Sequence, residues 1–143
     1  MLNKFSVTNY LSFKDTNTVN FTATENYTEL KENTFKRGGV RYLKVIGVFG
    51  YNASGKSNLL KAIMFVRQFI LNSALTSVST NKIPVRPFKF SNNNDSFSTF
   101  EIELKIGTQT YIYGFKVNED KIAKEWLKQK NITRSCLSEK TTK

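Results

Sequence analysis

Apolar and polar residues alternate over Lys4-Phe5-Ser6-Val7-Thr8-Asn9-Tyr10, which places Phe5 and Val7 on one face of a half-buried strand. Leu11-Ser12-Phe13 continues that strand, and Lys14-Asp15-Thr16-Asn17 breaks it. The alternation returns in Thr18–Thr24, with Val19, Phe21 and Ala23 on one face. The two segments read as antiparallel strands joined by a short polar turn. Residues 25–41 are polar, with a turn signal at Gly38-Gly39.

The pattern then changes. Val45-Ile46-Gly47-Val48-Phe49 is a continuous apolar run, as in a strand buried on both faces of a parallel sheet. Helical spacing follows Lys56: Leu59, Ile63, Val66 and Ile70 recur at three and four residues, and Leu60, Met64 and Leu71 widen the stripe. The helix is expected to end near Ala74, before the polar run Thr76–Lys82. Pro84 and Pro87 bracket an extended stretch ending in Phe88-Lys89-Phe90, and residues 91–96 form a loop by composition. Phe100–Ile106 alternates strictly, Gly107-Thr108 turns, Thr110–Val117 returns, and Lys121–Leu127 supplies a third strand. The result is a β-meander with one charged, solvated face. Beyond Leu127 the pattern dissolves into Lys, Ser, Thr and Asn, so 1–127 reads as the folded part and 128–143 as a polar, basic, disordered tail.

Composition narrows the chemistry. The 143 residues contain no His, which removes Ser-His-Asp triads, Cys-His pairs and His-ligated zinc. The single cysteine, Cys136, allows neither an intrachain disulfide nor a multi-cysteine metal site, and the chain reads as a reduced, cytoplasmic one. The longest uninterrupted apolar run, Ala62–Val66, is far short of the ~20 residues a membrane span needs, and no signal-peptide core follows the N-terminal charge. The formal net charge of +11 points to a polyanionic partner such as nucleotide phosphates, DNA or RNA; a basic piece of a protein that is acidic elsewhere has the same charge.

One segment carries specific chemistry. Gly50-Tyr51-Asn52-Ala53-Ser54-Gly55-Lys56-Ser57 matches G-x-x-x-x-G-K-[ST], between an apolar run and an amphipathic helix. Gly50 and Gly55 permit backbone angles closed to other residues, so the loop can aim successive N–H groups inward as an anion nest. The helix beginning near Lys56 adds unpaired N–H groups and its positive dipole end. Lys56 is the expected catalytic residue, its ammonium reaching the β/γ-phosphates, and the Ser57 hydroxyl is the expected Mg²⁺ ligand.

Gly50–Leu60, read as Gly-Tyr-Asn-Ala-Ser-Gly-Lys-Ser-Asn-Leu-Leu, resembles the Walker A segment of ABC/SMC-like ATPases. That group includes the overcoming-lysogenization-defect proteins, chromosome-maintenance and DNA-repair ATPases, and bacterial AAA-family ATPases of anti-phage and abortive-infection systems. Asn52 and Asn58 are typical of it, and the opening Phe5-x-Val7-x-Asn9-Tyr10-x-Ser12-Phe13-Lys14 resembles its first strand. Relatives often carry a basic residue before the Ser-Phe, where this chain has Leu11. Tyr113-Gly114-Phe115 and Glu125-Trp126-Leu127 resemble the bacterial AAA-family members most. The resemblance spans roughly residues 1–127. It implies that Asn52, Ala53, Ser54, Gly55, Lys56 and Ser57 wrap a triphosphate, with Gly50 and Tyr51 opening the loop and Ser57, with Asn58 beside it, on the metal side. It implies ATP rather than GTP, since no guanine-reading N-K-x-D occurs. It also implies an α/β P-loop NTPase fold of the ABC-type head, with the P-loop strand and helix beside an antiparallel β-layer.

Phosphoryl transfer needs an acidic metal partner after a second buried strand, and a group that orients water. In the family an Asp-Glu pair, a signature loop and a switch His follow the region seen here, and such heads hydrolyse ATP head to head, as a homodimer or with a partner subunit. No four apolar residues here end in Asp-Glu. Asp15, Asp95 and Asp120 sit in polar turns; Glu101 and Glu103 read as a solvated strand face paired with Lys105 or Lys116. Gln68 and Gln109 find no support as metal contacts. The expectation is therefore a partial head that binds ATP and is inactive unless completed. Two alternatives stand beside it: a nucleotide-binding module without turnover, and a basic nucleic-acid-binding fragment using residues 121–143.

Overall fold

The alternation at the N-terminus becomes strand β1 (Leu2–Thr8), paired antiparallel with β2 (Asn17–Asn20) so that Phe5 faces Val19. The structure is a computed structural model, and it describes residues 1–24, 29–73, 82–90 and 97–130. The expectations for the loop 91–96, Asp95, Cys136 and the tail from residue 131 onward lie outside the described residues.

β1 ends sooner than its apolar pattern suggests. Asn9 and Leu11 take left-handed φ values of 52° and 51°, and the Tyr10 and Phe13 backbones bond to each other at 2.9 Å in both directions. Leu11-Ser12-Phe13, expected to extend the strand, turns back instead. Asparagine is among the few residues that enter the left-handed region readily, and here long-range bonds hold the Asn9 amide. Its Nδ2 donates to Phe97 O at 3.0 Å and its Oδ1 accepts from the Phe88 N–H at 3.1 Å. The Leu11 N–H donates to Arg86 O at 2.9 Å, so the proline-bracketed segment is fastened to this turn.

The polar stretch holds a hairpin that its composition conceals. β3 (Thr34–Arg37) and β4 (Val40–Leu43) flank Gly38 and Gly39, whose φ values of 57° and 77° give the left-handed pair that a two-residue hairpin turn requires. Phe35 and Tyr42 stand opposite each other with ring centroids 5.8 Å apart. Lys36, Arg37 and Arg41 dilute that pattern in the sequence.

The meander forms as expected: β5 (Ser98–Ile106), β6 (Gln109–Val117) and β7 (Ile122–Lys130). β7 runs three residues past Leu127, with Gln129 opposite Tyr111 and Lys130 opposite Thr110. β1 inserts beside β5 and gives a five-stranded sheet in the order β2-β1-β5-β6-β7. Glu101 and Glu103 lie on its solvated face, but their partners are not the lysines expected. Glu101 accepts from Trp126 Nε1 at 3.1 Å; Glu103 accepts from Asn3 Nδ2 at 3.3 Å and pairs with Lys130 at 3.5 Å. Lys105 is instead buried, its Nζ 3.4 Å from Arg37 O and 5.9 Å from the centre of the Tyr42 ring, so it joins the small hairpin to the large sheet.

One helix, α1 (Lys56–Ser73), covers the opposite face. Its buried stripe is Ala62, Phe65 and Val66, with Leu59, Ile63 and Phe69 partly covered. Phe65 meets Phe100 at 5.0 Å and Tyr10 at 5.6 Å between ring centroids, and Phe69 stacks on Phe115 at 4.1 Å. These spacings suit aromatic packing. The stripe is rotated from the expected one: Leu60, Met64, Ile70 and Leu71 are exposed. The apolar spacing was compatible with either face, and the aromatic residues decide between them.

The largest departure concerns the run 45–49. The expected parallel core is absent among the described residues: every strand pair is antiparallel, and residues 45–50 belong to no strand. Val45 is 69% exposed and Phe49 92%. A doubly buried strand needs neighbours on its edges and helices on its faces, and no described strand lies beside this one. The fold that results is α/β and sheet-dominated, with one α-helix among the described residues.

Candidate functional site

The loop 50–55 hangs between the exposed run and the first turn of α1. Its shape follows from backbone angles. Gly55 has φ 94°, and a Cβ added there would lie 2.8 Å from Ser12 Oγ, so glycine is required both for conformation and for space. Ala53 is held left-handed at φ 63°. Side chains in that region cost about 1–3 kcal/mol, and such strain concentrates at functional sites. The Ser54 N–H closes the loop on Tyr51 O at 3.2 Å.

Lys56 starts the helix and its side chain returns over the loop. Its Nζ donates to Gly50 O at 2.7 Å, to Tyr51 O at 2.6 Å and to Ser54 Oγ at 3.4 Å. One ammonium thus gathers both ends of the loop. Ser57 and Asn58 follow in the first turn, whose amides have no intrahelical partners and whose dipole end is positive. No acidic residue lies in that turn to compete for them. The Ser57 side chain is exposed at the same end of the helix. Tyr51, Asn52, Ala53 and Ser54 are exposed as well, so the loop faces solvent.

Sequence reasoning missed one contact. Asn58 Nδ2 donates to Ser12 Oγ at 3.1 Å, so the turn after β1 abuts the loop at both Gly55 and Asn58. Ser12 and Phe13 belong to the opening motif, and that motif was the only available signal; nothing local to Ser12 marks it as a neighbour of residue 55.

The arrangement offers a concentrated positive end: one ammonium, the free amides at the start of α1, and a backbone loop shaped by Gly55. It suits an anionic group of phosphate type. Side-chain oxygens at this end of the helix come from Asn52, Ser54 and Ser57, all exposed. Among the described residues no three acidic or cysteine side chains cluster to hold a metal. Asp15 lies in the connection between β1 and β2 and Asp120 in that between β6 and β7, and Gln68 is exposed on α1. Gln109 opens β6 and accepts from Tyr111 and Gln129. None of the described helices is long and apolar enough to cross a membrane.

The described residues form a sheet-dominated α/β domain in which a glycine-shaped loop leads into α1. A family model described as "AAA domain, putative AbiEii toxin, Type IV TA system" matches residues 45–143, more than two thirds of the chain. The chain belongs to this AAA-domain family. The match starts at Val45, so it includes the loop, α1 and the meander and leaves β1 to β4 outside. A comparison with curated proteins finds no match.

Proposed function

We propose that the chain binds ATP with Mg²⁺ through Gly50–Asn58, as the phosphate-binding part of an ABC/SMC-like ATPase head. The observation that carries this reading is the position of Lys56, whose ammonium sits on the mouth of the loop with carbonyl partners at 2.6 and 2.7 Å. A phosphate offers that ammonium a charged acceptor, and charge-assisted bonds are roughly twice as strong as neutral ones. Bound Mg²⁺ would neutralise charge between phosphates, and Ser57 Oγ is the chain's own ligand for it. Asn58, tied to Ser12, fixes the start of the helix against the β1 turn.

Binding and turnover are separate matters. Hydrolysis needs a carboxylate beside the metal. On this reading the chain's own role is to hold nucleotide, with turnover on completion by a second copy or a partner subunit that brings the acid. The same reading takes this activity to serve abortive infection or toxin–antitoxin control, with phage defence as the setting; the toxin-type description of the matched family supports it.

Calorimetric titration with ATP and Mg²⁺ tests the site. The wild type binds, and Lys56→Ala loses binding while its circular dichroism stays unchanged. Unchanged affinity in a folded Lys56→Ala would refute the assignment. ATP turnover measured on the same sample separates a competent enzyme from a non-hydrolysing module.

A further inference from the structure

The face of the five-stranded sheet turned away from α1 has a second set of features that the nucleotide site does not use. Gly114 on β6 stands directly opposite Trp126 on β7. A Cβ added to Gly114 would lie 2.3–2.7 Å from three indole atoms, Cζ2, Cε2 and Nε1. Ring atoms so nearly equidistant mean that the indole lies with one face on the glycine and its other face outward. Its Nε1 bond to Glu101 Oε2 at 3.1 Å fixes the rotation of the ring.

Cations surround this platform. Residues of one strand face recur about every 6.8 Å, which puts Lys124 on one side of Trp126 and Lys128 and Lys130 on the other. Lys116 stands directly opposite Lys124. Like charges in that position are destabilising, so packing does not account for them. Lys116 is held with its Nζ 5.5 Å from the centre of the Phe97 ring. The acids on this face are both engaged, Glu101 by the indole and Glu103 by Asn3 and Lys130.

We infer that this β6–β7 face binds single-stranded nucleic acid. A base stacks on the outer face of Trp126, and the phosphates on either side of it meet Lys116 and Lys124 in one direction and Lys128 and Lys130 in the other. Aromatic platforms flanked by cations hold single strands in this manner, largely without regard to sequence. A duplex keeps its bases stacked and offers none to the indole. The inference does not rest on the nucleotide site, which lies at the start of α1 on the opposite side of the sheet.

Trp126 is the only tryptophan in the chain, so its emission reports directly on this face. The full chain is titrated with a fifteen-residue oligothymidine at several salt concentrations. Quenching of Trp126 is expected, with affinity falling as salt rises. The double variant Lys116→Ala/Lys124→Ala should weaken binding at least tenfold and flatten the log–log salt slope by about 1.4, at about 0.7 per phosphate contact. Trp126→Leu, followed by anisotropy of a labelled oligonucleotide, should lose tenfold or more, and Lys56→Ala should bind as the wild type does. Should Trp126→Leu fail to fold because Gly114 is uncovered, the lysine variant still decides. Binding without quenching, binding unchanged in the lysine variant, equal affinity for a duplex of the same length, or equal competition by polyglutamate would each overturn the inference; the last would mark the face as one for acidic protein.

Discussion

Replacing Phe65 by alanine tests how α1 is seated. Phe65 is 7% exposed and lies among Tyr10, Phe69, Phe100 and Phe115, at centroid distances of 5.6, 6.1, 5.0 and 6.4 Å. Ala62 and Val66 are the other core residues that the described part of the helix buries. Truncating a buried phenylalanine costs about 3–5 kcal/mol, the transfer loss plus the cavity left behind. Domains of this size are stable by about 5–15 kcal/mol, so Phe65→Ala removes about a fifth or more of the total. Leu60→Ala on the same helix is the matched control: Leu60 is 62% exposed, and its truncation should cost under about 0.5 kcal/mol. Urea unfolding followed by helical circular dichroism gives both values, and the slope with denaturant should remain unchanged. The helix also presents Lys56 nine residues upstream, about 13 Å along its axis, so Phe65→Ala should weaken ATP binding as the helix loosens. Equal costs for Leu60→Ala and Phe65→Ala would mean that α1 is turned about its axis relative to this description.

Other outcomes follow from the same coordinates. Gly55→Ala meets both a left-handed φ of 94° and a Cβ 2.8 Å from Ser12 Oγ; it should destabilise by about 2 kcal/mol in thermal unfolding and abolish ATP binding, and a neutral result would contradict the loop geometry. The Tyr113 hydroxyl is pushed well above tyrosine's ordinary value of about 10, first by burial and then by its bond to, and the charge of, Glu125. The folded chain therefore keeps a proton that the unfolded chain releases, and stability present below pH ~10 should fall as pH rises above it. Burial raises Tyr10 in the same direction, against the pull of Arg86. Tyr113→Phe should flatten the alkaline fall in stability, and an unchanged profile would count against that burial.

What the sequence made legible follows a physical rule. The start of α1 and the three strands of the meander depend on local periodicity and turn residues, and the structure matches them closely. The hairpin at Gly38-Gly39 shows only its turn, because Phe35 and Tyr42 are single apolar residues among cations. The run 45–49 fails as an inferred strand for the opposite reason: composition states what cover a segment wants, and cannot supply the neighbour. The loop residues 50–58 are adjacent in sequence and so were found as a motif. Ser12 is 46 positions from Asn58, and only the fold brings them together.

The bare run Val45-Ile46-Gly47-Val48-Phe49 also has a consequence for handling the protein. It is uncharged and free of proline, and outside the named strands it exposes Val45, Val48 and Phe49, with the Val45 N–H and C=O held by the Asn33 amide. Short stretches of that kind template one another into stacked strands. Concentrated solutions of this chain should therefore self-associate through it. A lysine at Val48, which is 49% exposed and outside the buried core, would act as a gatekeeper and keep the protein dispersed.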